Sequence, residues 1–348
     1  MVQSTPCVSV IIVNHNGIDF VNTCIRSVLN NNYHNFEIIF VDNASTDGSL
    51  EYVRKTFGSD YRLRIIENPG SVGPAVGRNR GAKLAKGKYL IFLDNDTQAE
   101  RNFILELTKV LEADNSIGAA QAKLLRMGTD NLYDCAGDYL GPLGFLIERS
   151  RGAKDKGQFD HICDILSAKS AASIIKKELF DKIGGFDEDY YMYLEETDLS
   201  WRVWLAGFRV VFIPGAKVYH AFNTARKDFK RYYPKYIVRY YGCRNYILTL
   251  IKNLGLKSSI KFLPLHISCW VLLSFFFTLK GNFYDAFLIL KGIAWNILNT
   301  GLLLKKRRFI NSNIRKIADS VILSKIMEQK NIGYYSGKGF AYLTGRPF

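Results

Sequence analysis

Residues 87–96 read GKYLIFLDND, and this run decides the fold. Gly87 stops whatever precedes it. Tyr89, Leu90, Ile91, Phe92 and Leu93 then form an unbroken apolar segment of strand length, closed by Asp94 and Asp96. A short run that is apolar on both faces fits a strand covered on both sides, as in a parallel sheet. The i, i+2 spacing predicts both carboxylates on one face of the strand's end. Two adjacent carboxylates repel, and a bound cation is the simplest relief. Hard oxygen ligands suit Mg²⁺ or Mn²⁺, ions commonly shared with nucleotide phosphates. The plainer reading is a polar turn, where Asp and Asn are favoured residues.

Outward from this run, the segments 8–14 (VSVIIVN), 36–42 (FEIIFVD), 63–66, 117–125 and 209–213 read as further strands. Helical patterns lie between them at 20–29, 74–86, 100–112, 176–183 and 195–206, and one runs to about 57 with Ser45 and Thr46 as N-cap candidates. This alternation predicts an α/β fold with a mostly parallel, doubly wound sheet. Ligands of such sheets bind at the carboxyl ends of strands. Asn14, Asp42 and the Asp94–Asn95–Asp96 turn all fall there. Residues 127–158, rich in glycine and charge, read as an insertion or loop.

The 348 residues are 48% hydrophobic and carry a net charge of +15. Of the 47 Lys and Arg, 22 lie from Ala221 onward, with only 4 of the 32 Asp and Glu. The basic character therefore belongs to the tail, which suits a polyanion: nucleic acid or an anionic membrane. The chain divides at this point into 1–220 and 221–348. Six cysteines show no CxxC pair, as in a reduced cytosolic protein. Residues 1–6 show no signal-peptide pattern.

Four further features bear on chemistry. Asp42 is placed either to accept from a nucleobase N–H or to close a turn. The segment 68–81, with glycines at 70, 73, 77 and 81, opens a helix whose N-terminus favours anions, and Arg78 and Arg80 add charge near a diphosphate. It matches neither a P-loop nor a GxGxxG element after a first strand. The segment 184–202 (GGFDEDYYMYLEETDLSWR) holds six acids between Asp187 and Asp198. There Asp198 and Arg202 predict an i, i+4 ion pair, and Glu195 and Glu196 start a helix whose dipole favours them. A carboxylate held at such a point also suits removal of a hydroxyl proton. His220 is either structural or a neutral imidazole ligand completing a metal site.

Together these motifs resemble inverting family 2 glycosyltransferases of the GT-A fold, especially the rhamnosyltransferase-like branch of polysaccharide biosynthesis. The resemblance rests on 8–17, 36–49, 68–97, 184–202 and 214–220, in the family's order. It implies a dTDP-, UDP- or GDP-linked sugar donor and a glycan or lipid-linked acceptor. It implies that Asp42 contacts the base, that Asp94 lies near the nucleoside, and that Asp96 binds the metal of a DXD-type motif with His220 nearby. Asn14, Arg78, Asn79 and Asn95 match nucleotide-side positions. The family's catalytic base sits in a Glu-Asp pair, here Glu195-Glu196, so the Asp position is held by Glu196.

The tail carries a basic, tyrosine-rich run at 226–244 and apolar runs at 262–279 and 283–304, followed by Lys305-Lys306-Arg307-Arg308. The second run is too polar for a ready transmembrane helix. Helices lying in the bilayer interface, with basic residues on anionic headgroups, fit better than spans or the buried helices of a homo-oligomer. The expected location is peripheral, on the cytoplasmic face of the cell membrane. A metal-dependent nucleotidyltransferase and a nucleic-acid-binding protein are the alternatives. Residues 331–348 read as poorly ordered.

Overall fold

A computed structural model of the chain describes residues 7–221, 237–330 and Tyr334. The expectations for 1–6, for most of 226–244 and for 331–348 lie outside the described residues. The first half is β1 (Val8–Asn14), α1 (Val21–Leu29), β2 (Phe36–Asp42), α2 (Ser49–Phe57), β3 (Leu63–Glu67), α3 (Gly73–Leu84), β4 (Tyr89–Asp94), β5 (Thr97–Ala99), α4 (Phe103–Ala113) and β6 (Ile117–Arg126). Short strands β7 (Tyr133–Cys135), β8 (Asp138–Leu140) and β9 (Leu146–Glu148) occupy the 127–158 stretch expected as an insertion or loop, and β10 (Cys163–Asp164) follows it. Then come β11 (Ala172–Lys176), α5 (Lys177–Lys182), α6 (Glu195–Leu205) and β12 (Arg209–His220).

The main sheet runs β10-β12-β6-β11-β4-β1-β2-β3. Strands β3, β2, β1, β4, β6 and β12 share one direction, and β11 is inserted antiparallel between β4 and β6. Alternate residues of each strand face opposite layers. Val10 and Ile91 pack with α1 and α4 on one side, while Ile11 and Phe92 pack with α3 and α6 on the other. The glycines of α3 serve this packing. A Cβ at Gly81 would lie 2.6 Å from Ile11 and one at Gly77 3.0 Å from Val13, so α3 seats directly on the sheet.

The described part of the tail is mainly helical: α7 (Gly242–Asn253), α8 (Leu256–Leu279), α9 (Phe283–Leu298), α10 (Thr300–Phe309) and α11 (Asp319–Ile326). Leu248, Leu254, Phe262, Leu303 and Ile322 are buried in the same apolar cluster as Trp201 and Phe212. The outer sides of α8 and α9 are different. Leu272, Phe275, Phe283 and Leu298 are all more than half exposed. By length and composition α8 is able to cross a membrane, and the pair 283–298 and 300–314 is bent by 64°.

Candidate active site

Parallel pairing aligns the strand ends. Asn14 stands opposite Asp42, and Val13 opposite Asp94. Asn14 is fully buried. Its Nδ2 donates to Asp42 Oδ1 (2.9 Å), Ser45 Oγ (3.0 Å) and Ser49 Oγ (2.8 Å), and its Oδ1 accepts from Asn95 Nδ2 at 2.6 Å. Asn14 and Asn95 are thus tied to each other, and Asn14 anchors Asp42. Asp42 is itself buried, with Oδ2 accepting from the Ser45 N–H at 2.8 Å. Ser45 therefore serves the turn and caps no helix. α2 begins only at Ser49, after Gly48 at φ 83°, where Asp47 Oδ1 accepts from the Ser49 N–H at 3.0 Å.

Asp94 and Asp96 do not share a strand face. β4 ends at Asp94, and Asn95-Asp96 form a turn into β5. The two carboxylates converge because β5 doubles back beside β12, with Thr97 opposite His220. His220 ends a strand longer than expected, one that passes Pro214-Gly215 through a register shift. Its Nε2 lies 3.3 Å from Asp96 Oδ1, and its Nδ1 2.9 Å from Asp134 Oδ2. One ligand atom each of Asp94, Asp96 and His220 lies within 4.8 Å of the others. Burial would discharge His220, but Asp96 and Asp134 outweigh it and hold its pKa well above the ordinary value. A divalent cation bound there would take the same electrostatic place as that proton. The donor set of two carboxylates and an imidazole whose far nitrogen meets a carboxylate fits Mg²⁺ or Mn²⁺.

Arg78 links this cluster to the second acidic one. Its guanidinium donates to Asp94 Oδ1 at 3.0 Å and to Glu195 Oε1 at 2.8 Å, and it lies over the Phe186 ring. Asn79 points elsewhere. It donates to Phe186 O (2.8 Å) and Glu188 Oε1 (3.0 Å) and accepts from the Phe186 N–H (2.9 Å), so it docks 186–188 onto α3.

The two glutamates differ sharply. Glu195 is buried, and its Oε2 has no hydrogen-bond partner among the described residues. Burial and the neighbouring Glu196 push its carboxyl up to about 7 against the pull of Arg78. Glu196 is partly exposed, with Oε1 3.8 Å from Lys169 Nζ. Lys169 also lies 2.8 Å from the fully buried Asp138. Burial would discharge Lys169, but Asp138 and Glu196 hold its pKa well above the ordinary value. Asp198 and Arg202 form the expected pair, 2.7 Å apart.

Asp134, Asp138 and Lys169 went unread because they lie in segments with no periodic pattern. The pairing of β7 with β6 and of β8 with β9 places Asp134 and Asp138, and the Lys169 N–H is tied to Gln121 Oε1 of β6 at 2.8 Å.

The model of glycosyl transferase family 2 matches residues 9–184 of the chain. The chain belongs to that family. An uncharacterized glycosyltransferase of Haemophilus influenzae is 34% identical over 111 residues, 30% of this chain and 44% of its own length. The O-antigen biosynthesis protein RfbC of Myxococcus xanthus is 26% identical over 234 residues, 65% of this chain and 18% of its own. The match thus spans less than half of either relative. Among solved structures, the mannosyltransferase PcManGT of Pyrobaculum calidifontis, in complex with GDP-Man and Mn²⁺, shares the GT-A fold: TM-score 0.53, 16% identity, over 99% of this chain and 89% of that one.

Proposed function

We propose that this chain transfers a sugar from a nucleoside diphosphate donor to a hydroxyl of a glycan or lipid-linked acceptor. The observation that carries the reading is the Arg78 bridge. It holds the metal-type cluster of Asp94, Asp96 and His220 one guanidinium away from the Glu195-Glu196 pair. One side chain at the carboxyl edge of the sheet thereby joins a donor-side and an acceptor-side acid group.

In this reading Asp42, held by Asn14 and Ser45, marks the base end of the donor site. Asp96 and His220, with Asp94 beside them, would hold Mg²⁺ or Mn²⁺. When bound, that ion neutralises charge on the departing diphosphate. Glu196, the more open carboxylate, takes the proton of the attacking hydroxyl, and Glu195 fixes Arg78. A single displacement with inversion needs no protein nucleophile, in keeping with the rhamnosyltransferase-like resemblance. The name of the relative RfbC supports a role in surface-glycan synthesis.

The division at residue 220 is proposed as one of roles, with 221–348 seating the enzyme on an anionic membrane surface. The exposed apolar sides of α8 and α9 and the basic run 305–308 support this. Part of the tail's charge is spent internally. Lys252 and Lys306 pair with acids of 184–202, and Arg315 with Asp319. The test is thermal unfolding with dTDP-, UDP- and GDP-sugars, with and without Mn²⁺. One donor class should raise Tm only with the ion; no shift with any of them would count against the reading.

A further inference from the structure

The turn that delivers Glu195 and Glu196 is built from unfavourable backbone. Tyr191, Tyr193 and Leu194 all have positive φ, at 61°, 70° and 68°, and none is glycine. Tyr191 (φ 61°, ψ −66°) is the centre of a γ-turn closed by the Met192 N–H on Tyr190 O at 2.7 Å. Such a geometry is rare and strained, and it persists only where surroundings over-determine it.

Those surroundings come from the C-terminal region. Asn245 of α7 is fully buried. Its Nδ2 donates to three carbonyls of that turn: Tyr190 O (3.1 Å), Met192 O (2.8 Å) and Tyr193 O (2.8 Å). Its Oδ1 accepts from Arg244 Nε at 2.9 Å, which fixes the amide's orientation. Arg244 also donates to Asp189 O and lies over the Trp295 ring. On the turn's other side, Gly73 of α3 leaves no room for a side chain, since a Cβ there would lie 2.8 Å from Tyr191 O. Lys252 and Lys306 anchor Asp187, at the start of the same segment.

We propose that Asn245 is a positioning residue for the acceptor-side carboxylate, locking 190–194 and with it the start of α6, which carries Glu196. The consequence is that 1–220 is an incomplete catalytic unit: its base is aimed by a side chain from beyond the boundary. The proposal rests on the glycosyltransferase reading for its kinetic arm, but not for its structural arm.

The test uses the full chain as wild type, Asn245→Ala and Asn245→Asp. The aspartate keeps the size and the Arg244 contact but sets a carboxylate against the three carbonyls. Hydrogen exchange should quicken at amides 190–195 while β4 keeps its protection. Transfer kcat should fall about 10-fold or more with the donor KM changed less than about 2-fold, because misaiming a catalytic group is costly even at ångström scale. Unchanged exchange at 190–195, or a donor KM that rises in step with the loss of kcat, overturns the proposal. If both variants fail to fold, Arg244→Lys keeps the positive charge, loses the orienting Nε–H together with the guanidinium's Asp189 contact, and carries the same test at about a 3-fold effect. If the wild type turns over no nucleotide sugar, the functional reading fails, and the exchange result alone still decides whether Asn245 holds the turn.

Discussion

Arg78 stands 2.8 Å from Glu195, and both are buried. Removing one partner of such a pair leaves an uncompensated charge. At pH 8, where Glu195 is ionised, Arg78→Met should cost about 3–5 kcal/mol of stability. At pH 5 the neutral acid needs no counter-charge, and the cost should shrink. Urea denaturation at the two pH values measures this; an equal cost at both would contradict the pairing.

Glu195 itself should give stability a pH slope. Its carboxyl is raised from 4.5 to about 7, so the folded state binds the proton more tightly than the unfolded one. The contribution is present in full below pH 4.5 and is lost as pH rises through 7, worth roughly 3 kcal/mol in all. Glu195→Gln should flatten the profile across that window. A profile unchanged by the substitution would show that the slope comes from another group.

Gly17 abuts both asparagines of the site, and a Cβ there would overlap the Asn95 amide and Asn14 Oδ1. Gly17→Ala should therefore push apart the Asn14–Asn95 link and shift the Asp94–Asp96 turn. Donor affinity is expected to fall about 10-fold or more for a stability loss of only about 1–2 kcal/mol. Calorimetric binding of the nucleotide, set beside the melting temperature, separates the two effects.

Asp96→Ala should abolish Mn²⁺-dependent protection by the donor and leave the apo melting temperature within a few degrees. Metal-dependent protection surviving in this variant would remove Asp96 from the metal site.

The exposed apolar side of α8 and α9 predicts binding to vesicles containing anionic lipid. Leu272→Asp with Phe275→Asp should weaken it about 10-fold or more, since each substitution takes an apolar group from the bilayer and adds a like charge. Sedimentation with phosphatidylglycerol vesicles tests this. Equal binding to neutral vesicles and to RNA would favour another partner.

Much of the sheet was legible because its strands are continuous apolar runs with acids at their carboxyl ends. Asp42 and Asp94 were found that way. The convergence of Asp96 with His220 was expected only from the family resemblance, since a turn and the register of β5 on β12 produce it, and neither follows from periodicity. Asn79 looked like a nucleotide residue by position, yet its amide meets the Phe186 backbone. Asn245 carried no local signal. Its partners lie more than fifty residues upstream, and only the packing of α7 against the catalytic segment reveals them. The glycines of α3 were read for phosphate and instead serve helix-to-sheet contact at Gly77 and Gly81.

The central claim is that Glu196 activates the acceptor while the metal-type cluster handles the donor. The most direct measurement sets donor binding against sugar transfer in Glu196→Gln, with Glu195→Gln beside it. Glu196→Gln should keep the donor-induced rise in Tm and lose about 100-fold or more of the transfer rate. Transfer at the wild-type rate in Glu196→Gln, with loss only in Glu195→Gln, would contradict it.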